Sequence, residues 1–114
     1  MSNFDYLLLA HLLGDFLFQT KWMADNKANN WFPLLIHSFI YTLIIWITSY
    51  FAFGGLSLEG CSLLFAAHLI LDRRTFINLW TSKIMRLDNN APVWIRVVID
   101  QTFHLIILAI ALHV

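Results

Sequence analysis

The stretch from Trp31 to Phe53 contains no charged side chain, and this feature constrains the fold of the chain more than any other. A helix needs about 20 predominantly apolar residues to cross a bilayer, so the stretch predicts a transmembrane helix. Three further apolar stretches predict spans over roughly Asn3–Thr20, Leu56–Asp72 and Pro92–Val114. The sequence therefore predicts an all-α, polytopic membrane protein, with residues 1–114 forming a single four-helix transmembrane domain.

The composition also favours lipid over water as the surrounding solvent. Hydrophobic residues make up 60% of the chain and charged residues 12%, whereas soluble domains have about 25% charged residues. A domain of this size leaves much of its surface exposed, so it could not hide so much apolar surface from water. The net charge of zero gives no reason to expect a nucleic-acid partner. The single cysteine, Cys61, excludes an intramolecular disulfide and a cysteine-based zinc site.

Basic residues predict the orientation in the membrane. Lys21 and Lys27 lie in the first connection, whereas the middle connection and both termini contain no lysine or arginine. The third connection carries Arg73, Arg74, Lys83 and Arg86. The positive-inside rule places the first and third connections in the cytoplasm. We therefore expect a multi-pass membrane protein with both termini outside the cytoplasm, the N-terminal helix being retained.

The third connection itself contains a helical pattern. Ile77, Trp80, Ile84 and Leu87 recur at helical spacing, with basic residues between them. This pattern predicts a short amphipathic helix in the membrane interface. The alternative is that the third spanning helix continues into water.

Histidine and aspartate residues interrupt the apolar stretches in pairs four residues apart, a spacing that places both members on one helix face. The pairs are His11–Asp15, His68–Asp72 and Asp100–His104. The order is reversed in the last helix, which runs in the opposite direction, so each aspartate is about 6 Å nearer the cytoplasm than its histidine. His37 in the second helix adds a further imidazole. Buried charged groups in spans usually face a protein interior, so we expect one shared polar site in the cytoplasmic half of the bundle.

Imidazole and carboxylate groups are common ligands of divalent transition metals, zinc above all. We expect the metal ligands to be His11, His37, His68 and His104, and the catalytic groups to be Asp15, Asp72 and Asp100. Alternatively, each histidine could make an interhelical hydrogen bond, and Asp72 could pair with Arg73. Histidine–aspartate chains also suit proton relays. For substrate binding we expect Gln19, on the face of Asp15, with Arg73 and Arg74, which could bind a phosphate or lipid headgroups.

Four segments together carry a resemblance to a known family: "HLLGDFLFQ", "IHS", "HLILDRRT" and "DQTFHL". With them, the chain resembles small bacterial integral-membrane proteins catalogued as domain of unknown function 3307. The resemblance extends from His11 to His104. It implies a helical membrane protein of the bacterial inner membrane, but no reaction. A looser similarity connects the chain with small inner-membrane proteins labelled metal-dependent hydrolases, which also carry histidine and aspartate on several spans.

These observations favour a membrane-embedded, metal-dependent enzyme of the hydrolase type. Its substrate would be a small molecule that is soluble in the membrane or reaches the headgroup level. An ion or proton transporter, or a small-ligand-binding membrane subunit, could use the same residues. The outer halves of the second and fourth spans are almost entirely apolar, which favours a pocket open to one side. A homodimer is compatible with so small a bundle.

Overall fold

The computed structural model describes all residues from Met1 to Val114 and contains helices but no strands. Six α-helices and two π-helical segments follow one another along the chain. The α-helices are α1 (Asn3–Leu12), α2 (Lys21–Asn26), α3 (Trp31–Phe53), α4 (Leu58–Asp72), α5 (Thr75–Leu79) and α6 (Val93–Leu112). The first π segment, Leu13–Leu17, continues α1, and the second, Trp80–Ile84, continues α5.

Local capping sets the ends of the first two helices. Ser2 and Asp5 form a reciprocal capping box at the start of α1. The first π segment ends at Leu17, and the Thr20 side chain then caps α2 by accepting from the backbone N–H of Met23. The predicted first span, Asn3–Thr20, is therefore three residues too long, because helical structure ends at Leu17 and Thr20 is the N-cap of α2.

The boundaries of α3 agree with the sequence prediction of Trp31–Phe53. The helix ends in Gly54 and Gly55, which have φ angles of 92° and 104°, a region that favours glycine. Their backbone N–H groups donate to the carbonyls of Tyr50 and Ser49. The next helix begins two residues later than predicted, because the side chain of Ser57 caps its first turn.

Four helices form a closed bundle in which α1 packs on α3, α3 on α4, α4 on α6 and α6 on α1. The connections 18–30 and 73–92 lie at one end of the bundle, here called the basic end. This end holds six of the seven lysine and arginine residues, and the seventh is Arg96 in the first turn of α6. Toward the opposite end, a buried apolar layer fills the bundle. Its members are Leu7, Ala10, Tyr41, Ile45, Leu64, Leu108 and Ala111.

A short helical arm, formed by α5 and the second π segment that continues it, follows α4 at the basic end. It confirms the helix predicted around Ile77 and Trp80. Arg74 adopts a left-handed conformation with φ of 69°, which interrupts the helical path after α4. The third helix therefore does not continue straight into the connection.

Two of the helices, α3 and α6, are long and apolar enough to cross a membrane. Only 33% and 17% of their most apolar windows is buried inside the protein, so most of each helix faces its surroundings. Helices α1 and α4 span 10 and 15 residues, fewer than the ~20 that a perpendicular span needs. The structure establishes an all-helical bundle with two helices of spanning length, and the four-span topology remains a prediction.

Candidate metal centre

The interior of the bundle is unusually polar. Of the 25 buried residues, 11 are polar or charged, as many as the buried hydrophobic ones. The structure brings His11, His37, His68 and His104 into one cluster, with each residue at most 2% exposed. Asp15 and Asp72 lie in the same cluster and are 3% and 2% exposed. Buried polar groups on this scale are costly unless each finds a partner.

Asp72, at the last turn of α4, is the centre of this cluster. Its Oδ2 lies 3.0 Å from each of three nitrogens: Nε2 of His37, Nε2 of His68 and Nζ of Lys27. Its Oδ1 lies 3.2 Å from Nε2 of His104. Four cationic or imidazole groups from four parts of the chain thus converge on one carboxylate.

Asp15 approaches the same point from α1. Its Oδ1 accepts a hydrogen bond from His37 Nε2 at 3.1 Å and lies 3.8 Å from His68 Nε2. The amide of Gln101 donates to its Oδ2 at 3.1 Å. Asp15 lies in the first π segment, and such bulges often occur at functional sites because they redirect side chains. The neighbouring Gly14 allows α1 to approach α3 closely, since a Cβ there would lie 3.0 Å from Tyr41 Cδ2.

Hydrogen bonds occupy both ring nitrogens of His11. Its Nδ1 lies 2.7 Å from the Tyr41 hydroxyl, and its Nε2 lies 2.6 Å from Oε1 of Gln101. Because the Gln101 oxygen only accepts, Nε2 of His11 carries the proton and Nδ1 accepts from the Tyr41 hydroxyl. His37 is also engaged, since its Nε2 donates to Asp15. His11 therefore has no free ring nitrogen for a metal, and the only free nitrogen of His37 is its buried Nδ1.

His104 presents the opposite arrangement. Its Nδ1 donates to the backbone carbonyl of Asp100 at 2.7 Å. In the neutral ring Nε2 therefore carries the lone pair, and this nitrogen lies 3.2 Å from Oδ1 of Asp72. Backbone carbonyls that fix the tautomer in this way are typical neighbours of metal-ligating histidines.

Four residues offer one ligand atom each within 4.8 Å of one another: Asp15, His68, Asp72 and His104. The Nε2 atoms of His68 and His104 make no aligned hydrogen bond, although each lies 3.0–3.2 Å from an Asp72 oxygen. Tetrahedral ligands about 2.0–2.1 Å from zinc are ~3.3 Å apart. Close but unaligned nitrogen and oxygen atoms are what converging metal ligands produce, so this arrangement can accommodate a divalent transition metal.

The three pairs spaced four residues apart differ in how their members contact each other. His68 contacts Asp72 directly, at 3.0 Å. His104 instead uses the Asp100 backbone, with the Asp100 carboxylate 3.6 Å from its Nδ1. His11 and Asp15 find their partners on other helices. His104 therefore lies between two acids, with Asp72 at one ring nitrogen and Asp100 at the other.

The predicted substrate-binding residues lie around the cluster at the basic end. The Gln19 amide donates to the backbone carbonyl of Asp15 at 3.0 Å, while its buried Oε1 has no partner. The Arg73 guanidinium lies over the Trp31 ring, 4.5 Å from its centroid, and does not pair with Asp72. Arg74 is exposed. Only Gln19 contacts a candidate ligand residue, and it does so at the backbone carbonyl of Asp15.

Sequence reasoning missed two residues of the cluster. Lys27 lies in a polar connection and appeared only as an orientation signal, yet its side chain is 9% exposed and contacts Asp72. Tyr41 lies in an apolar helix, yet it bonds His11 and stacks on His68 with ring centroids 4.0 Å apart. Its i, i+4 spacing from His37 was the available signal. Gln101 of α6 bonds His11 and Asp15.

Comparison with known proteins gives a family but no activity. No curated protein and no solved structure matches the chain, so the looser similarity to metal-dependent hydrolases gains no support. One family of proteins of unknown function matches residues 4–114, which include every residue of the cluster. The chain therefore belongs to the family described as "Protein of unknown function (DUF3307)".

Proposed function

We propose that this chain is a membrane-embedded, metal-dependent enzyme of the hydrolase class. Asp15, His68, Asp72 and His104 bind a divalent transition metal, with zinc the first to test. The observation that carries the proposal is the convergence within 4.8 Å of two carboxylates and two Nε2 atoms that make no aligned hydrogen bond, in a fully buried position.

The distribution of polar and apolar residues supports a membrane location. Large hydrophobic side chains such as Phe39, Phe51, Val93 and Ile106 are 48–81% exposed, while the charged residues of the cluster are buried. This arrangement is the reverse of that in a soluble protein. Six of the seven basic side chains belong to the two connections at the basic end, as the positive-inside rule requires. We propose four spans in the bacterial inner membrane, with the basic end in the cytoplasm and both termini outside.

The residues around the centre have separate tasks in this proposal. A bound metal supplies a water of lowered pKa, near 7. His37 holds a proton between Asp15 and Asp72, with its Nε2 3.1 and 3.0 Å from their oxygens. Asp100 orients His104 through its backbone carbonyl. The apolar layer beyond Tyr41 closes the outer side, so a membrane-soluble or headgroup-level substrate approaches from the basic end.

Metal content of gently purified protein tests the centre. We expect about one metal ion per chain in the unaltered protein and a loss of it in His104→Gln. Asp100→Asn is the matched control on the same helix, because it retains the backbone carbonyl that orients His104, and it should keep the metal. Equal metal content in both variants, or none in the unaltered protein, contradicts the centre.

Hydrolysis is tested separately with zinc-loaded protein in detergent micelles. Chromogenic carboxylic and phosphoric esters with acyl chains serve as substrates. We expect turnover that chelation abolishes, that zinc restores and that His104→Gln lacks. A zinc-loaded protein that turns over none of these esters contradicts the hydrolase assignment while leaving the metal centre intact.

One observation favours proton transfer as a second candidate function. A continuous series of hydrogen bonds joins Tyr41, His11, Gln101, Asp15 and His37. Tyr41 itself belongs to the apolar layer, so the series has no polar continuation on that side. Proton flux into proteoliposomes, measured with a trapped pH dye and lost in His11→Gln, would favour this function over hydrolysis.

A further inference from the structure

Lys27 is a buried lysine at the edge of the cluster. It lies in the turn after α2, and its side chain is 9% exposed, compared with 89% for Lys21 at the start of α2. Its ammonium lies 3.0 Å from Asp72 Oδ2, and no other carboxylate lies within ion-pair distance of it. A buried ammonium is costly without a counter-ion, so Asp72 is what holds Lys27 inside the protein.

The Asp72 oxygen that holds Lys27 also belongs to the proposed metal centre. Oδ2 lies 3.0 Å from His68 Nε2, one of the candidate ligand atoms. A metal bound to Oδ2 at about 2.1 Å would stand within roughly 5 Å of the ammonium. Two cations at that separation in a buried site repel each other strongly.

The surroundings of Lys27 allow it to leave. It lies in a short turn, in which Asn29 and Asn30 donate to the carbonyl of Asn26, so no long helix fixes its position. The lysine stem is flexible and carries a compact charge that water solvates well. Asn29 and Asn30, which follow in the same connection at the basic end, are exposed to such solvation.

We infer that Lys27 is a built-in competitor for the metal: its ammonium neutralises Asp72 in the metal-free protein, and divalent metal binding displaces it toward the basic end. This inference rests on the proposed metal centre and adds its regulation. Lys27 thereby keeps the carboxylate from remaining as an unpaired buried charge, and it weakens metal affinity so that only a sufficient metal concentration loads the site.

Zinc binding to full-length variants in micelles, measured by competition with a chromogenic chelator, tests the inference. We expect Lys27→Met to bind zinc at least about tenfold more tightly than the unaltered protein. Lys21→Met, which removes an exposed lysine, should leave the affinity unchanged. Unchanged or weaker binding in Lys27→Met contradicts the role of Lys27 alone, whereas failure of every variant to bind zinc contradicts the metal centre.

Acylation of lysines in the unaltered protein provides a test without substitution. Treatment with a water-soluble succinimidyl ester, followed by peptide mass analysis, should modify Lys27 slowly without metal and several-fold faster with zinc. The exposed Lys83 is the reference, because the hydrogen bond that Lys21 donates to Asp25 raises the pKa of Lys21 and slows its reaction. A Lys27 that stays equally protected at saturating zinc overturns the inference.

Discussion

Replacing Asp72 by asparagine should destabilise the protein more than any other isosteric change in the bundle. The substitution keeps the shape but removes the charge that Lys27 and three imidazoles share at 3.0–3.2 Å. The Coulomb attraction of Lys27 and Asp72 alone is about 5.5 kcal/mol at 3.0 Å with an effective dielectric constant of 20. Removing one partner of a buried ion pair typically costs about 3–5 kcal/mol. We expect Asp72→Asn to lower the free energy of unfolding by that amount.

Equilibrium unfolding by SDS in mixed micelles, with metal removed by a chelator, measures this cost. Lys27→Met combined with Asp72→Asn removes both charges, so the double variant should recover much of the loss. The double-mutant cycle should give a coupling of about 1–3 kcal/mol. The exposed pair Lys21–Asp25 is the matched control, and Asp25→Asn should change stability far less. If Asp72→Asn costs no more than Asp25→Asn, the description of Asp72 as the centre of the cluster is wrong.

Three further predictions concern the packing and the orientation. Tyr41→Phe leaves Nδ1 of His11 buried without its donor, so it should cost about 1–3 kcal/mol of unfolding free energy while the metal content stays the same. Gly60→Ala places a Cβ 2.8 Å from the Ala111 carbonyl oxygen and should separate α4 from α6, at a cost of about 1–3 kcal/mol; an unchanged midpoint of unfolding would refute this contact. Single cysteines placed in the two connections of the basic end should react with an impermeant reagent only from the cytoplasmic side, and reaction from opposite sides would refute the four-span topology.

The apolar helices could be predicted from the sequence because their signal is local. A long uncharged stretch bounded by polar residues defined α3 to the residue, and the turn at Gly54 and Gly55 marked its end. The ends of α1 and α4 were less predictable, because side-chain caps from Thr20 and Ser57 compete with helix continuation. The π segment at Leu13–Leu17 had no local signal at all.

The membership of the polar cluster could be predicted, but the hydrogen-bond partners could not. Histidine and aspartate at one depth on antiparallel helices identified the cluster residues, because polar groups in apolar helices usually face the protein interior. Which residue faces which depends on helix rotation and on the redirection of Asp15 by the π segment, and these are tertiary properties. The contact of Lys27 with Asp72 could not be predicted, because a lysine in a polar connection normally faces water. Only the folded turn brings Lys27 to Asp72.

X-ray absorption at the zinc edge of the loaded protein tests the central claim most directly, because it counts imidazole ligands. The sequence pattern favours four histidine ligands, whereas the structure leaves free Nε2 atoms on His68 and His104 only. The metal centre described here predicts two imidazole nitrogens and carboxylate oxygens at about 2.0–2.2 Å. A spectrum with four imidazoles, with none, or with a sulfur from Cys61 would contradict it.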